Sequence, residues 1–238
     1  QLSFGAYTAL YHINGRNFSM RREAKFSKIN RVFFPAYAAL CAGAAIYYGV
    51  RMDWYHFPLS LLAMTMPLLI VFAFRLVHAR RSSQLDFMIL LFILLAYPFG
   101  SILEFFQLIP HYDKFCHTLS GAFVSMLALA LFLMVCPGHR VTRENLALAL
   151  LFVFFASMAV AGLWEISEYF VHAITGRDVQ RVALTGVDDT MQDMIVCMIG
   201  TLAYLPAIVR LGHGRPNVFT GPAEAFAAKN LPGEGLKA

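Results

Sequence analysis

"HYDKFCHTLSGAFVSMLALALFLMVC", residues 111–136, opens with an Asp, a Lys and two His and then runs through apolar and small residues to its end. A helix that crosses a bilayer needs about 20 predominantly apolar residues, each adding about 1.5 Å of rise. The stretch from 115 to 136 meets that length, so it predicts a membrane helix with ionisable groups at its mouth. Lipid tails can solvate none of those groups, and ionisable residues at such positions usually face a bundle interior or a wet cavity.

Working outward, the rest of the chain has the same character. Of 238 residues, 59% are hydrophobic and 14% charged, a balance outside that of soluble domains. Windows of spanning length fall at 32–50, 57–77, 85–108, 115–136, 145–174 and 190–210. The fold class expected is therefore all-α, a polytopic transmembrane bundle of about six spans. Residues 1–31 read as a basic interfacial segment, 32–210 as the membrane domain and 211–238 as a loosely ordered cytoplasmic tail rich in Gly, Pro and Ala. Prolines within the spans are no objection, since packed membrane helices tolerate them. Residues 1–31 are too polar for the apolar core of a signal peptide. The sequence opens at Gln1 rather than Met, so a start trimmed from a longer one is expected. Four cysteines at unrelated spacings, with no C-x-x-C, indicate neither a zinc ribbon nor a disulfide framework.

The basic residues set the orientation. Arg16, Arg21, Arg22, Lys25, Lys28 and Arg31 precede the first span; Arg75, Arg80 and Arg81 lie in the second connection; Arg140 and Arg143 in the fourth; Arg210, Arg215, Lys229 and Lys237 follow the last. The other side holds only Arg51, Lys114, Arg177 and Arg181. Both termini are thus expected in the cytoplasm. The net positive charge is a topology and lipid-headgroup signal and does not point to nucleic acid. "RREAKFSKINR" (21–31) is expected to lie along the inner leaflet.

Carboxylates gather on the opposite side, and three segments carry them. In "YDKFCH", Asp113 and His117 are four apart and share a helix face. In "WEISEYFVH", Glu165, Glu168 and His172 form one stripe. In "DDTMQD", Asp189 and Asp193 are again four apart, with Asp188 or Thr190 placed to cap the last span. "TGRDVQRVALTG" (175–186) is long enough to fold over these groups, with turns at Gly176 and Gly186, and Glu104 on the third span is close enough in register to approach. Carboxylates and imidazole from several helices suit a hard or borderline divalent metal ion, or an acid/base pair. The candidate metal ligands are Asp113, His117, Glu165, Glu168, Asp189 and Asp193, and the candidate catalytic groups are Glu165, Glu168 and His117. Carboxylates crowded in a partly dry pocket need a compensating cation, for which Lys114, a nearby Arg or a metal would serve. The competing reading is a satisfied polar network that pins helix ends. Met191, Met194 and Met198 beside Cys197 suggest soft-metal ligation such as Cu(I), or ordinary packing. The run "AALCAGAA" (38–45) suggests a close helix contact within the bundle or with a partner.

"YDKFCHTLSG", "GLWEISEYF" and "DDTMQDMIVCMIGTL", in that order on three consecutive spans, resemble the YjdF-like family of small bacterial inner-membrane proteins, over about residues 97–204. The order is more distantly similar to the VanZ-like family, from which the chain departs in lacking a Gln after its span-five glutamate. The resemblance implies a bacterial inner-membrane location, places the family's polar residues on Asp113, Lys114, His117, Glu165, Glu168, Asp189, Thr190, Asp193 and Gly200, and implies cell-envelope or lipid-related work without a reaction. Two functions follow as expectations. One is a site, metal-binding or acid/base, that acts on a lipid headgroup or other envelope molecule at the outer leaflet. The other is a non-catalytic accessory subunit packed against a larger membrane complex. Membrane lipids are the expected surroundings in both, and other membrane-protein subunits the expected partners in the second. A transporter ranks below both, for want of an inverted repeat or a charge at mid-membrane.

Overall fold

In a computed structural model, the backbone is described at residues 4–180, 182–215 and 217–231, and side chains from residue 21 onward within those ranges. The described residues are helical, with no strand. In hydrocarbon every backbone N–H and C=O must be satisfied within the segment, which is why apolar runs of this length become helices. Six of them are long and apolar enough to cross a membrane: Arg21–Val50, His56–Leu76, Ser83–Ile102, Tyr112–Val135, Leu146–Thr175 and Asp188–Gly212. The chain divides into two compact units, Gln1–Leu91 with Ala228–Ala238, and Phe92–Ala227.

In the first unit, α1 (Phe4–Val50) packs along α2 (His56–Leu76). The buried stripe of α1 is Tyr37, Cys41 and Ala45, spaced four apart, and the Tyr37 hydroxyl donates to the Ala63 carbonyl at 2.8 Å. Only part of the "AALCAGAA" run is therefore spent inside this unit: an added Cβ on Gly43 would meet nothing within 4 Å. The turn between the helices is held by Asp53, whose carboxylate accepts the N–H groups of Tyr55 and His56 at 3.0 Å and lies 2.7 Å from the His56 ring. The His56 backbone N–H, then its ring, hold the Asp53 carboxyl below the usual carboxylate range.

Three sequence expectations are revised here. The basic stretch 21–31 is continuous with the first span in one helix, because no Pro or Gly interrupts it and its residues take part in tertiary contacts. Glu23 accepts the Ser83 N–H at 2.8 Å and the Ser82 hydroxyl, so it caps α3 (Ser83–Leu94) from a distant helix. The tail is also more ordered than its composition suggests. Residues 221–230 form α9 (Gly221–Asn230), with Ala223, Ala225, Phe226 and Ala227 buried. Near its end Lys229 pairs with Glu23 at 3.3 Å, and Asn230 exchanges two hydrogen bonds with the Arg80 backbone. The remainder of that tail, 232–238, and residues 1–20 as side chains lie outside the described residues. Third, the span expected over 85–108 ends sooner. From Leu95 to Ile102 the helix widens into a π-helical turn around Pro98, whose ring has no N–H to donate and crowds the preceding turn. Glu104 then adopts a left-handed conformation (φ 59°), followed by the short α4 (Phe105–Leu108).

The second unit is built on α5 (Tyr112–Val135), α6 (Leu146–Thr175) and α8 (Asp188–Gly212), with a one-turn α7 (Val182–Thr185) between the last two. Helices α5 and α8 meet backbone to backbone. A Cβ on Gly121 would stand 2.0 Å from the Cys197 carbonyl oxygen, and one on Gly200 1.9 Å from that of Thr118. Small residues permit such approaches in membranes, where dispersion and polar contacts replace the hydrophobic drive. At the same level α6 joins through Ser157, whose hydroxyl is 2.8 Å from that of Thr201 and donates to the Gly121 carbonyl at 3.3 Å; both hydroxyl residues are fully buried. α6 ends at Gly176, whose φ of 71° suits a residue without Cβ and whose N–H closes on the His172 carbonyl at 2.8 Å.

Candidate functional site

The close seam of α5 and α8 dictates what happens at its polar end. α5 begins immediately after His111, held at φ 62°, and its first two turns present Asp113, Lys114 and His117. α8 runs back alongside and presents Asp189 and Asp193 from its own first two turns. The Lys114 ammonium sits between the strands of this ladder of charges. It donates to Asp189 Oδ1 at 2.6 Å and Asp193 Oδ1 at 2.7 Å, with the Asp189 carbonyl at 3.3 Å and Asp113 Oδ2 at 3.6 Å. The side chains of Asp193 and Asp189 are 4% and 9% exposed, too little for water alone to solvate them, so each requires a partner. Charge-assisted bonds this short are the strong kind.

Beside the ammonium lies a second grouping. His117 Nε2 is 3.6 Å from Asp113 Oδ1 and 3.8 Å from Asp193 Oδ1. One ligand atom from each of these three residues lies within 4.8 Å of the other two. Ligand atoms bonded at about 2.0–2.2 Å around a tetrahedral ion stand roughly 3.4 Å apart. The spacing of Asp113, His117 and Asp193 is therefore close to that of a three-ligand centre with an open position. Three carboxylates also face one ammonium here, leaving an excess of negative charge for a cation or protons to offset.

The structure brings Asp113, His117, Asp189 and Asp193 together, with Glu168 within electrostatic reach of Asp113 and Asp193. Asp189 is tied to Lys114 and stands outside the three-residue grouping. Glu165 on α6 is buried, and Gln180 from the α6–α8 connection donates to its backbone carbonyl at 3.0 Å and to Oε2 at 3.4 Å. That connection does fold over part of the polar end, through Gln180, which carries no periodic signal in the sequence. Glu168 accepts the Trp164 indole N–H at 2.9 Å. Of the expected stripe, Glu165 and Glu168 interact electrostatically, whereas His172 takes other partners. The His172 ring lies 3.0 Å from the Arg177 carbonyl and 3.7 Å from Asp178, at the far end of α6. Glu104, half-buried before α4, is not among the three grouped residues. No side chain caps α8, where Val187 holds the cap position, although Asp188 and Asp189 in the first turn suit the positive end of the helix dipole. No cysteine joins the cluster; Cys197 is buried at the seam, 3.7 Å from the Ser120 hydroxyl. Tyr112 donates its hydroxyl to the Leu95 carbonyl at 2.8 Å and packs against Phe105 and Phe106.

A family model described as "Predicted membrane protein (DUF2238)" matches residues 29–213, which takes in most of the first candidate span, the other five whole, and every residue of the polar end. No curated protein and no solved structure matches the chain.

Proposed function

The chain belongs to the DUF2238 family of predicted membrane proteins, and from that premise we propose that Asp113, His117 and Asp193 form a divalent-cation site that serves chemistry on a lipid headgroup or other envelope molecule. The observation that carries this reading is the charge balance at the α5–α8 seam, where three carboxylates surround one ammonium and an imidazole stands at ligand spacing from two of them. A hard or borderline ion such as Mg²⁺, Mn²⁺ or Zn²⁺ suits oxygen and imidazole donors. Lys114 and Asp189 act as the outer layer that orients Asp193. Glu165 and Glu168, on the neighbouring helix, are the general-base candidates, and His117 serves either as ligand or as acid/base group.

The positive-inside distribution supports an extracytoplasmic position for this end and cytoplasmic termini. The order of the three motifs supports the finer YjdF-like assignment and with it a bacterial inner-membrane location. The VanZ-like kinship has no support beyond motif order and carries nothing here.

Elemental analysis of protein purified in mild detergent tests the site. Exposure to micromolar Zn²⁺, Mn²⁺ and Mg²⁺ followed by desalting is expected to leave one of these ions near stoichiometric in the wild type and absent in Asp193→Asn and His117→Ala. A metal-free wild type ends the reading. A second reading, an accessory subunit of a larger membrane complex, is favoured by Gly43, where an added Cβ would meet nothing within 4 Å. Purification as a clean monomer counts against it.

A further inference from the structure

We infer that the first unit carries a binding cleft for an anionic phospholipid, at the end of its helices remote from the Asp53 turn. A cavity of about 570 Å³ opens there between α1, α2 and the start of α3. That volume falls within the range of small-molecule sites. Its lining changes character along the helix axis. Toward the N-terminal side of α1 it is polar, with Ser27, Asn30 and Arg31 from α1 and Arg81 and Ser83 from the α3 start. One to two turns farther in it is apolar, with Phe34 from α1 and Pro67, Leu68 and Val71 from α2. A pocket that is basic at its mouth and greasy beneath matches a phosphate group joined to acyl chains, and no purely polar ligand needs its inner half.

The charges select an anion. Asp86 also lines the cleft, but Arg81 holds it in a two-pronged bridge, Nε to Oδ1 at 3.0 Å and a terminal nitrogen to Oδ2 at 2.9 Å. The other terminal nitrogen of Arg81 has donors to spare. Arg31 is exposed and makes no ion pair among the described residues, so its charge is not offset. Asn30 is anchored on the Ser83 carbonyl at 2.9 Å, which joins the polar wall from α1 to that from α3. A phosphodiester seated at this mouth accepts from Arg31 and Arg81, while its acyl chains continue past Phe34 and Leu68 toward the bilayer interior. The cleft's lining shares no residue with the carboxylate cluster.

The test uses the full chain in mild detergent, with phosphatidylglycerol, phosphatidylcholine and inorganic phosphate as probes, read by native mass spectrometry and by melting temperature. Phosphatidylglycerol is expected to remain bound and to raise the melting temperature, with phosphatidylcholine much weaker and millimolar phosphate unable to displace the lipid. Arg31→Ala is expected to weaken phosphatidylglycerol about tenfold, the loss of one charge-assisted contact. Leu68→Trp, which fills the apolar half, has a similar effect, whereas Arg75→Ala, an equal charge loss outside the cleft, changes binding by no more than about twofold once salt screens it. Equal losses in Arg31→Ala and Arg75→Ala, equal retention of phosphatidylcholine, or displacement by inorganic phosphate would each overturn the assignment, the last by making free phosphate the ligand.

Discussion

Lys114 holds the polar end together, because a half-buried ammonium between two buried carboxylates cannot be removed without leaving both short of a partner. Lys114→Met is expected to lower stability by about 3–5 kcal/mol, the usual range when one partner of a buried ion pair is lost. Thermal melting in detergent checks this, and an unchanged midpoint would show that the network is not structural. The same variant also separates structure from cation binding. With the ammonium gone, repulsion toward an incoming ion falls, so added Zn²⁺ or Mn²⁺ is expected to raise the melting temperature more in Lys114→Met than in the wild type. Residue-level legibility was uneven. Asp113 with His117, and Asp189 with Asp193, are visible from spacing alone, since residues four apart share a helix face. The pairing of Lys114 with the second couple, 75 and 79 positions away, is not local and has no sequence signature. Gln180 over Glu165 is hidden for the same reason.

Among the elements, the α5–α8 seam sets how near the charged turns can come. Gly121→Ala places a methyl group against a backbone carbonyl that cannot swing aside, so the helices must separate. The expected loss is at or above the upper end of the ~1–3 kcal/mol typical of overpacking, and metal retention should fall with it as Asp193 withdraws from His117. Gly162→Ala on α6 is the matched control. It meets nothing within 4 Å, and the gain in helix propensity makes it neutral or stabilising by up to about 1 kcal/mol. Circular-dichroism melts of the two variants side by side decide the matter; equal effects would mean that the seam is loose. The sequence marked small residues at 38–45 as a contact, yet the tightest backbone approach lies at Gly121 and Gly200. A glycine's role depends on what faces it, which composition alone does not disclose. The π-helical turn at Pro98 is a similar case: proline announces a perturbed helix, but whether the chain kinks, widens or stops is decided by its neighbours.

For the molecule as a whole, orientation is the prediction with the broadest reach, since it decides which compartment the carboxylate cluster faces. A fluorescent-protein fusion after the last residue is expected to light up in the cytoplasm, and a cysteine placed at Val187 to react with a membrane-impermeant thiol reagent from outside, with the buried native cysteines silent. The reverse pattern would invert the proposed site. What the sequence by itself determined is the all-helical class and the six apolar spans, because bilayer thickness and backbone hydrogen bonding act on each stretch of chain independently. The tertiary structure alone decided which charges meet. It grouped Asp113, His117 and Asp193 at ligand spacing, set Glu168 within electrostatic reach of them, bound Glu23 to Ser83 and Lys229 across the length of the chain, and opened a cleft between α1 and α2. Those outcomes depend on how closely helices approach and at what level they touch, and both are set by the joint packing of segments far apart in sequence.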